Sequence, residues 1–253
     1  LAQSGALGMS ALPVILVLAP HPDDELVGAA ISMSRLIAAG GKVSVLYLTT
    51  GVAAEGWPWE RHGYERRVAR RRQEALRAAH AVGFSIENEL DIPSRRLIDH
   101  LGEVQDIVSH VQADQLWVPA FEGGHQDHDA ANALGFALRG RFQVVEFAEY
   151  NFLGGRVNAN CFPNGSSHPL LLSEDERALK KRLLQIYESE AGNLGYVGCA
   201  QESLRPLEDH DYARPAHDGR LFRERFHWVP FRHPRIDWRK QSEISEKLVS
   251  FLF

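Results

Sequence analysis

Two short stretches of this 253-residue chain combine the residue types that hold metal ions and move protons. The first is Ala19-Pro20-His21-Pro22-Asp23-Asp24-Glu25, and the second is His125-Gln126-Asp127-His128-Asp129, preceded by Gly123-Gly124. Taken alone, the first needs no chemistry, because Pro22 can open a helix whose dipole the following acidic residues complement. The second changes that reading, since two imidazoles three residues apart can lie on the same side of a helical turn. Imidazole nitrogen and carboxylate oxygen are good zinc ligands, and a catalytic zinc takes three protein ligands and leaves a fourth position to water. Two histidines and one carboxylate satisfy that requirement. The adjacent pair Asp23-Asp24 offers one ligand and one general base, and zinc lowers the pKa of the water it holds toward neutrality.

Elements that bring the two stretches together follow from the hydrophobic pattern. Leu12 to Ala19 is a continuous apolar run of strand length, as expected for a strand buried on both faces of a parallel sheet. A helix from about Asp24 to Ala39 ends at Gly40-Gly41, and Lys42 to Thr49 reads as a second strand, completing a right-handed βαβ unit. The alternation continues with a helix over about Gly63 to Val82, a weak strand near Glu89 to Ile92 and a helix from about Leu97 to Val111. A strand over Gln115 to Pro119, a helix from about Asp127 to Leu138 and a strand over Phe142 to Phe147 complete it. This predicts a Rossmann-like, doubly wound, mostly parallel α/β sheet of order 3-2-1-4-5. In that order the first and fourth strands are neighbours, and both His/Asp loops open on the crevice at their carboxyl ends.

The whole chain, 1–253, reads as a single domain, with a core over about 12–150 and a C-terminal elaboration over about 151–253. In the elaboration one amphipathic helix is expected, from about Ser173 to Glu190, with Ser173 and Glu176 as a capping box. The Pro-, His- and Arg-rich segment after Leu204 reads as irregular structure packed over the domain. Leu1 to Gly8 precede Met9 and take no part in the fold reading.

Together the two motifs resemble those of the PIG-L/LmbE-like zinc-dependent N-deacetylases, on Ala19-Pro20-His21-Pro22-Asp23-Asp24-Glu25 and His125-Gln126-Asp127-His128, and more loosely over Leu12 to about Leu138. The resemblance implies that His21, Asp24 and His128 bind one Zn²⁺ and that Asp23 is the general base. It implies that His125 polarises the acyl carbonyl and stabilises the oxyanion, with Asp127 orienting its imidazole. The helix around Arg71-Arg72-Gln73-Glu74 is similar to the family's Arg-rich second helix and implies Arg71 as a substrate contact; six arginines from Arg61 to Arg72 also fit a solvated face paired with glutamates. Several family members have a tyrosine just before the second motif where this chain has Phe121-Glu122-Gly123-Gly124, so Tyr150 or Tyr212 is the candidate replacement. Gln126 stands where proline is common, a change that bears on loop stiffness more than on chemistry.

The implied activity is hydrolysis of an N-acetyl group, from an acetamido sugar or a sugar-bearing small molecule. One alternative is a zinc amidase cleaving a different amide conjugate. Another is a non-catalytic Rossmann-like nucleotide-binding module, which lacks support because no Gly-x-Gly-x-x-Gly follows the first strand. A net charge of −5 gives no general attraction to nucleic acid. No apolar run is long enough to span a bilayer, and two distant cysteines, Cys161 and Cys199, suit a cytoplasmic protein with reduced thiols. Oligomeric state is not legible. Trp57 and Trp59 suit either stacking on a sugar or anchoring a loop, with the anchor favoured. Tyr212, Arg214 and His217 belong to a ligand-rich but unframed stretch, while His62, His80, His100 and His110 stand singly and read as surface or satisfied polar residues.

Overall fold

The first strand explains the architecture. In the computed structural model, which describes residues 12–57, 63–165, 169–231, 233 and 236–253, strand β1 (Val14–Ala19) lies at the centre of the sheet. Leu16 and Leu18 point into one hydrophobic layer, and Ile15, Val17 and Ala19 into the other. Burial on both faces is why the run is apolar without alternation. Helix α1 (Asp24–Ala38) follows, then β2 (Lys42–Tyr47), α2 (Tyr64–Val82), β3 (Ser85–Glu89), α3 (Leu101–Ser109), β4 (Gln115–Pro119), α4 (Gln126–Leu138) and β5 (Gln143–Phe147). These strands are parallel in the order β3-β2-β1-β4-β5, as the alternation predicted.

Past β5, the short pairs β6 (Tyr150–Asn151) with β7 (Asn158–Ala159) and β8 (Leu170–Leu171) with β9 (Gln201–Glu202) frame helix α5 (Glu174–Leu184) and the single turn α6 (Ala191–Leu194). Strand β10 (Leu204–Pro206) then joins the main sheet antiparallel to β5, and helix α7 (Gln241–Leu252) ends the chain.

Three expectations need correction. The third strand lies at 85–89, before the expected Glu89 to Ile92, because as an edge strand it is largely exposed and lacks an apolar run to announce it. Helix α5 keeps its expected capping box, with Ser173 Oγ accepting from the Glu176 amide, but ends at Leu184. The segment after Leu204 is not wholly irregular: β10 is only three residues long, and its Pro206 is tolerated at a sheet edge. In the same segment, α7 is held by Ile244 and Leu248, which are buried in the layer beside α4. Trp59, Arg61, His62 and Leu1 to Gly8 lie outside the described residues. No helix among the described residues is long and apolar enough to cross a membrane.

Helix α1 carries the first motif in its opening turn, and it is broken at Ala29 (φ −141°, ψ 18°). The break is filled by side chains from the elaboration. The Val27 carbonyl accepts from Lys180 Nζ at 2.9 Å and Asn160 Nδ2 at 2.7 Å, while the Ile31 and Ser32 amides donate to the Glu202 carboxylate at 2.9 and 2.8 Å. Lys180 and Glu202 pair at 3.0 Å with both side chains fully buried. A side-chain ion pair thus replaces a missing turn of the backbone ladder. Removing one partner leaves the other charge buried and unpaired, a cost of about 3–5 kcal/mol. Lys180→Met should therefore lower the unfolding free energy by that order, and a loss of less than about 1 kcal/mol in a urea titration would contradict this account.

Candidate metal centre

The loops after β1 and β4 meet because those strands are neighbours. Pro22 and Asp23 make the turn into α1, and Asp23 adopts φ +138°, a conformation that costs a non-glycine residue about 1–3 kcal/mol. The strained turn is fastened by the buried Glu25, whose Oε2 accepts from the Asp23 amide at 3.1 Å and whose Oε1 accepts from the Tyr187 hydroxyl at 2.7 Å. Burial pushes the Glu25 carboxyl up to about 7 against those hydrogen bonds. On the other loop Gly124 lies so close to Tyr150 that a Cβ would stand 2.6 Å from the Tyr150 carbonyl oxygen. His125 then caps α4, its Nδ1 accepting from the Asp127 amide at 3.1 Å.

At the meeting point His21 Nδ1, Asp24 Oδ2 and His128 Nε2 form a triangle with sides of 3.0, 3.3 and 3.3 Å. Ligand atoms about 2.0–2.2 Å from a zinc ion at tetrahedral angles stand about 3.3–3.6 Å apart, so the triangle has the size of one face of that coordination shell. The second nitrogen of each imidazole is directed at a buried carboxylate. His21 Nε2 contacts Asp127 Oδ2 at 3.0 Å, and His128 Nδ1 lies 3.6 Å from Glu149 Oε1. Glu149 is fully buried, and both its oxygens and His128 Nδ1 lack a hydrogen-bond partner among the described residues. A metal on His128 Nε2 would leave the proton on Nδ1, facing that carboxylate, which is the usual outer support of a metal-bound histidine. These orphaned atoms and the donor spacing make the residues fit a divalent ion. Two other triads share His128 and have ligand atoms within 4.8 Å of one another: His21 with His125 and His128, and Asp24 with His128 and Glu149.

Charge around the triangle is strongly shifted. Burial works against His21 carrying a proton, but Asp24 and Asp127 outweigh it and raise its pKa to about 10. Burial would likewise raise Asp24, yet His128 and His21 hold it well below the carboxylate range. Asp127 falls to about 2 against burial, held by His21, His125 and the Arg95 amide. Asp23 moves upward through burial and the charges of Asp24 and Glu190, which Arg71 and His21 only partly offset.

His21, Asp23, Asp24, Arg71, His125, Asp127 and His128 are all brought together, though contacts differ from the implied roles at two points. Asp127 Oδ2 is 3.0 Å from His21 but 3.6 Å from His125 Nδ1. Arg71 is buried with its guanidinium between Asp23 Oδ1 at 3.2 Å and Glu190 at 3.1 Å. Tyr150 reaches the site, its ring 5.4 Å from that of His128, whereas Tyr212 is buried elsewhere and donates to Asn132. Arg214 is exposed and pairs with Asp211, and His217 bonds the Asp218 carbonyl. His80 and His110 are exposed, and His100 is half-buried beside Glu103. Trp57 packs edge-on against the ring of His233. Gln126, singled out for loop stiffness, instead ties the C-terminal segment to the motif helix, donating to Asp237 at 2.7 Å and accepting from Arg239 at 3.0 Å. Asp129 does the same through Arg223 at 2.8 Å. Glu149 and Glu122 carried no motif signal; Glu122 Oε1 accepts from the Glu149 and Tyr150 amides and so fixes the loop that holds both residues.

Above the triangle lies a cavity of about 790 Å³, with His21, Asp23, Asp24 and His125 on its wall and Tyr150, Tyr196 and Phe222 forming an aromatic side.

Residues 16–138 match the PIG-L family model, GlcNAc-PI de-N-acetylase, so the resemblance read from the two motifs holds over that span. No curated protein matches the chain by sequence. Among solved structures, a teicoplanin deacetylase in a zinc-inhibited form superposes with a TM-score of 0.56 at 16% identity, covering 78% of this chain and 99% of the other. An A40926 pseudoaglycone deacetylase gives 0.55 at 18%, covering 79% and 100%. The N,N'-diacetylchitobiose deacetylase of Pyrococcus horikoshii gives 0.51 at 17%, covering 80% and 84%. At these identities the likeness is one of fold.

Metal affinity tests the centre. His128→Ala and Asp24→Ala should lose tight binding, while Asp23→Ala keeps it. Glu149→Leu should weaken binding about 10- to 100-fold, as loss of an outer carboxylate does; chelator competition measures all four, and unaltered affinity in Glu149→Leu would separate that residue from the site. Because a proton occupies His21 up to about pH 10, ion and proton compete. Affinity should fall about tenfold for each unit of acidification below that value, and calorimetry in buffers of different ionisation enthalpy should detect about one proton released per ion bound.

Proposed function

We propose that the chain is a zinc-dependent hydrolase that removes an N-acetyl group from an acetamido sugar or a sugar-bearing small molecule. The observation carrying this reading is the triangle of His21, Asp24 and His128, of which His21 and Asp24 lie on the wall of a cavity that Asp23 and His125 also line. When bound, zinc would polarise the acyl carbonyl and make a neighbouring water acidic.

Asp23 is the base that takes the water's proton. Its upward-shifted pKa suits that work, since a general base is most effective when poised near the working pH. Arg71, bridging Asp23 and Glu190, holds the carboxylate in place rather than gripping substrate first. His125 completes the pair. Its Nδ1 accepts a backbone hydrogen bond, and burial lowers its pKa well below the usual value, so the neutral ring carries its proton on Nε2. That N–H is the donor for the oxygen of the tetrahedral intermediate, where a prepositioned donor is worth about 10²–10³ in turnover. As the C–N bond breaks, the water oxygen stays with the acetate and the proton held by Asp23 passes to the departing amine. The asymmetry between a base and a neutral donor across one site is set by environment, as their opposite shifts indicate.

Support for the substrate class comes from the PIG-L match over 16–138 and from structural neighbours described as deacetylases of teicoplanin, of A40926 pseudoaglycone and of diacetylchitobiose. The proposal assigns a reducing cytoplasm as the compartment, in keeping with the free thiols Cys161 and Cys199.

Acetate release from a panel of N-acetyl sugars and other amide conjugates, with zinc-loaded protein, tests the assignment. N-Acetyl sugars should be the better substrates, and Asp23→Ala should cut turnover by at least about a hundredfold with zinc retained. Cleavage confined to other amides would move the assignment to an amidase, and zinc-loaded protein inert toward the entire panel would overturn it.

A further inference from the structure

Arg67, Arg70, Arg71, Arg223 and Arg225 line the cavity over the metal centre, and they differ in what they meet. Arg71 is occupied by Asp23 and Glu190, Arg70 by Glu74 and Glu188, and Arg223 by Asp129. Arg67 has no carboxylate or hydrogen-bond partner among the described residues, and its Nε is buried with no acceptor. Arg225 stacks on Phe222 and Phe226, 3.7 and 4.5 Å from the ring centroids, and donates only to the Phe222 carbonyl at 3.0 Å. The carboxylates on the cavity wall already have partners: Asp23 and Glu190 meet Arg71, Asp24 meets His21 and His128, and Asp237 meets Gln126. Two guanidinium groups in one cavity, those of Arg67 and Arg225, thus have no carboxylate partner among the described residues.

We infer that the substrate of this site carries an anionic group, a carboxylate or a phosphate ester, held by Arg67 and Arg225 at a distance from the amide that is cleaved. The inference rests on the deacetylase reading for which amide is cut. Arg67 lies one turn before Arg71 on α2, about 6 Å along the helix axis. Since Arg71 touches Asp23, the anion sits about one turn from the reacting amide, as it would on another position of the same sugar ring. Arg225 is suited to that grip. Stacking fixes the guanidinium plane and leaves further N–H groups for an oxyanion, which a planar fork binds in paired hydrogen bonds. The third preference of the cavity is apolar: Tyr150, Tyr196 and Phe222 offer ring faces to the sugar or aglycone between the two ends.

The test compares N-acetylglucosamine with two anionic relatives, N-acetylmuramic acid for a carboxylate and N-acetylglucosamine 6-phosphate for a phosphate. Each is titrated calorimetrically into zinc-loaded Asp23→Ala protein at matched ionic strength, and each is offered to the unaltered enzyme in an acetate-release assay. At least one anionic ligand should bind about tenfold tighter than the neutral sugar, and which one does identifies the anion. Arg67→Gln and Arg225→Gln, introduced separately, should each shrink that ratio, and Arg67→Lys should retain part of it. Zinc content and melting temperature of the variants distinguish a lost contact from a lost fold. Equal binding of all three ligands, or a preference that survives both glutamine substitutions, overturns the inference. Preferential anion binding with no acetate released from any ligand leaves the anion site standing and sinks the deacetylase reading instead.

Discussion

Four carboxyl groups, those of Asp23, Asp24, Asp127 and Glu149, are buried around two imidazoles, and the cost of burying them together is the constraint from which the rest of the structure follows. Removing an ionised carboxylate from water is costly unless a cation and hydrogen bonds replace its hydration. The chain answers for each differently. Asp23 is given Arg71, Asp127 is given the Arg95 and Leu97 amides as well as His21, and Asp24 sits between two imidazoles. Glu149 is given no hydrogen bond to either oxygen among the described residues, and it lies beside the imidazole that a bound ion would leave protonated on the near side. A divalent ion held by His21, Asp24 and His128 would relieve both the repulsion among the acids and the orphaned atoms.

Rigidity at this point comes from outside the two motifs. The first turn of α1 is separated from the remainder of the helix by the break at Ala29, and the Lys180–Glu202 pair inserted there lets the turn take its own orientation without leaving backbone groups unsatisfied. Under the second motif, Glu122 collects the amides of Glu149 and Tyr150. Over it, Arg223 and Arg239 draw the C-terminal segment onto Asp129 and Gln126. The elaboration therefore acts as both wedge and roof, supplying the aromatic wall and one of the two guanidinium groups of the cavity that have no carboxylate partner among the described residues.

How far the sequence reaches can be followed residue by residue. Strands buried on both faces, such as β1, announce themselves by unbroken apolar runs, and β4 was legible to its end residues for the same reason. Edge elements were not: β3 carries one large aliphatic among five residues, and β10 is three residues long, so neither has a period to detect. The break in α1 was hidden because Ala29 is a strong helix former, and what opens the helix is an ion pair more than 150 residues away in the chain.

By itself the sequence determined which side chains could form a metal-binding set, since His21, Asp24 and His128 are of the right types at the ends of predicted strands, and it determined the strand order that makes those ends adjacent. Only the tertiary structure decided which carboxylate serves which imidazole, that Asp127 leans on His21, that Glu149 stands behind His128, and that Gln126 holds the tail. The physical reason is range: helix, strand and turn preferences act over a few residues, whereas hydrogen bonds to a buried carboxylate join whatever segments the packed sheet brings within about 3 Å.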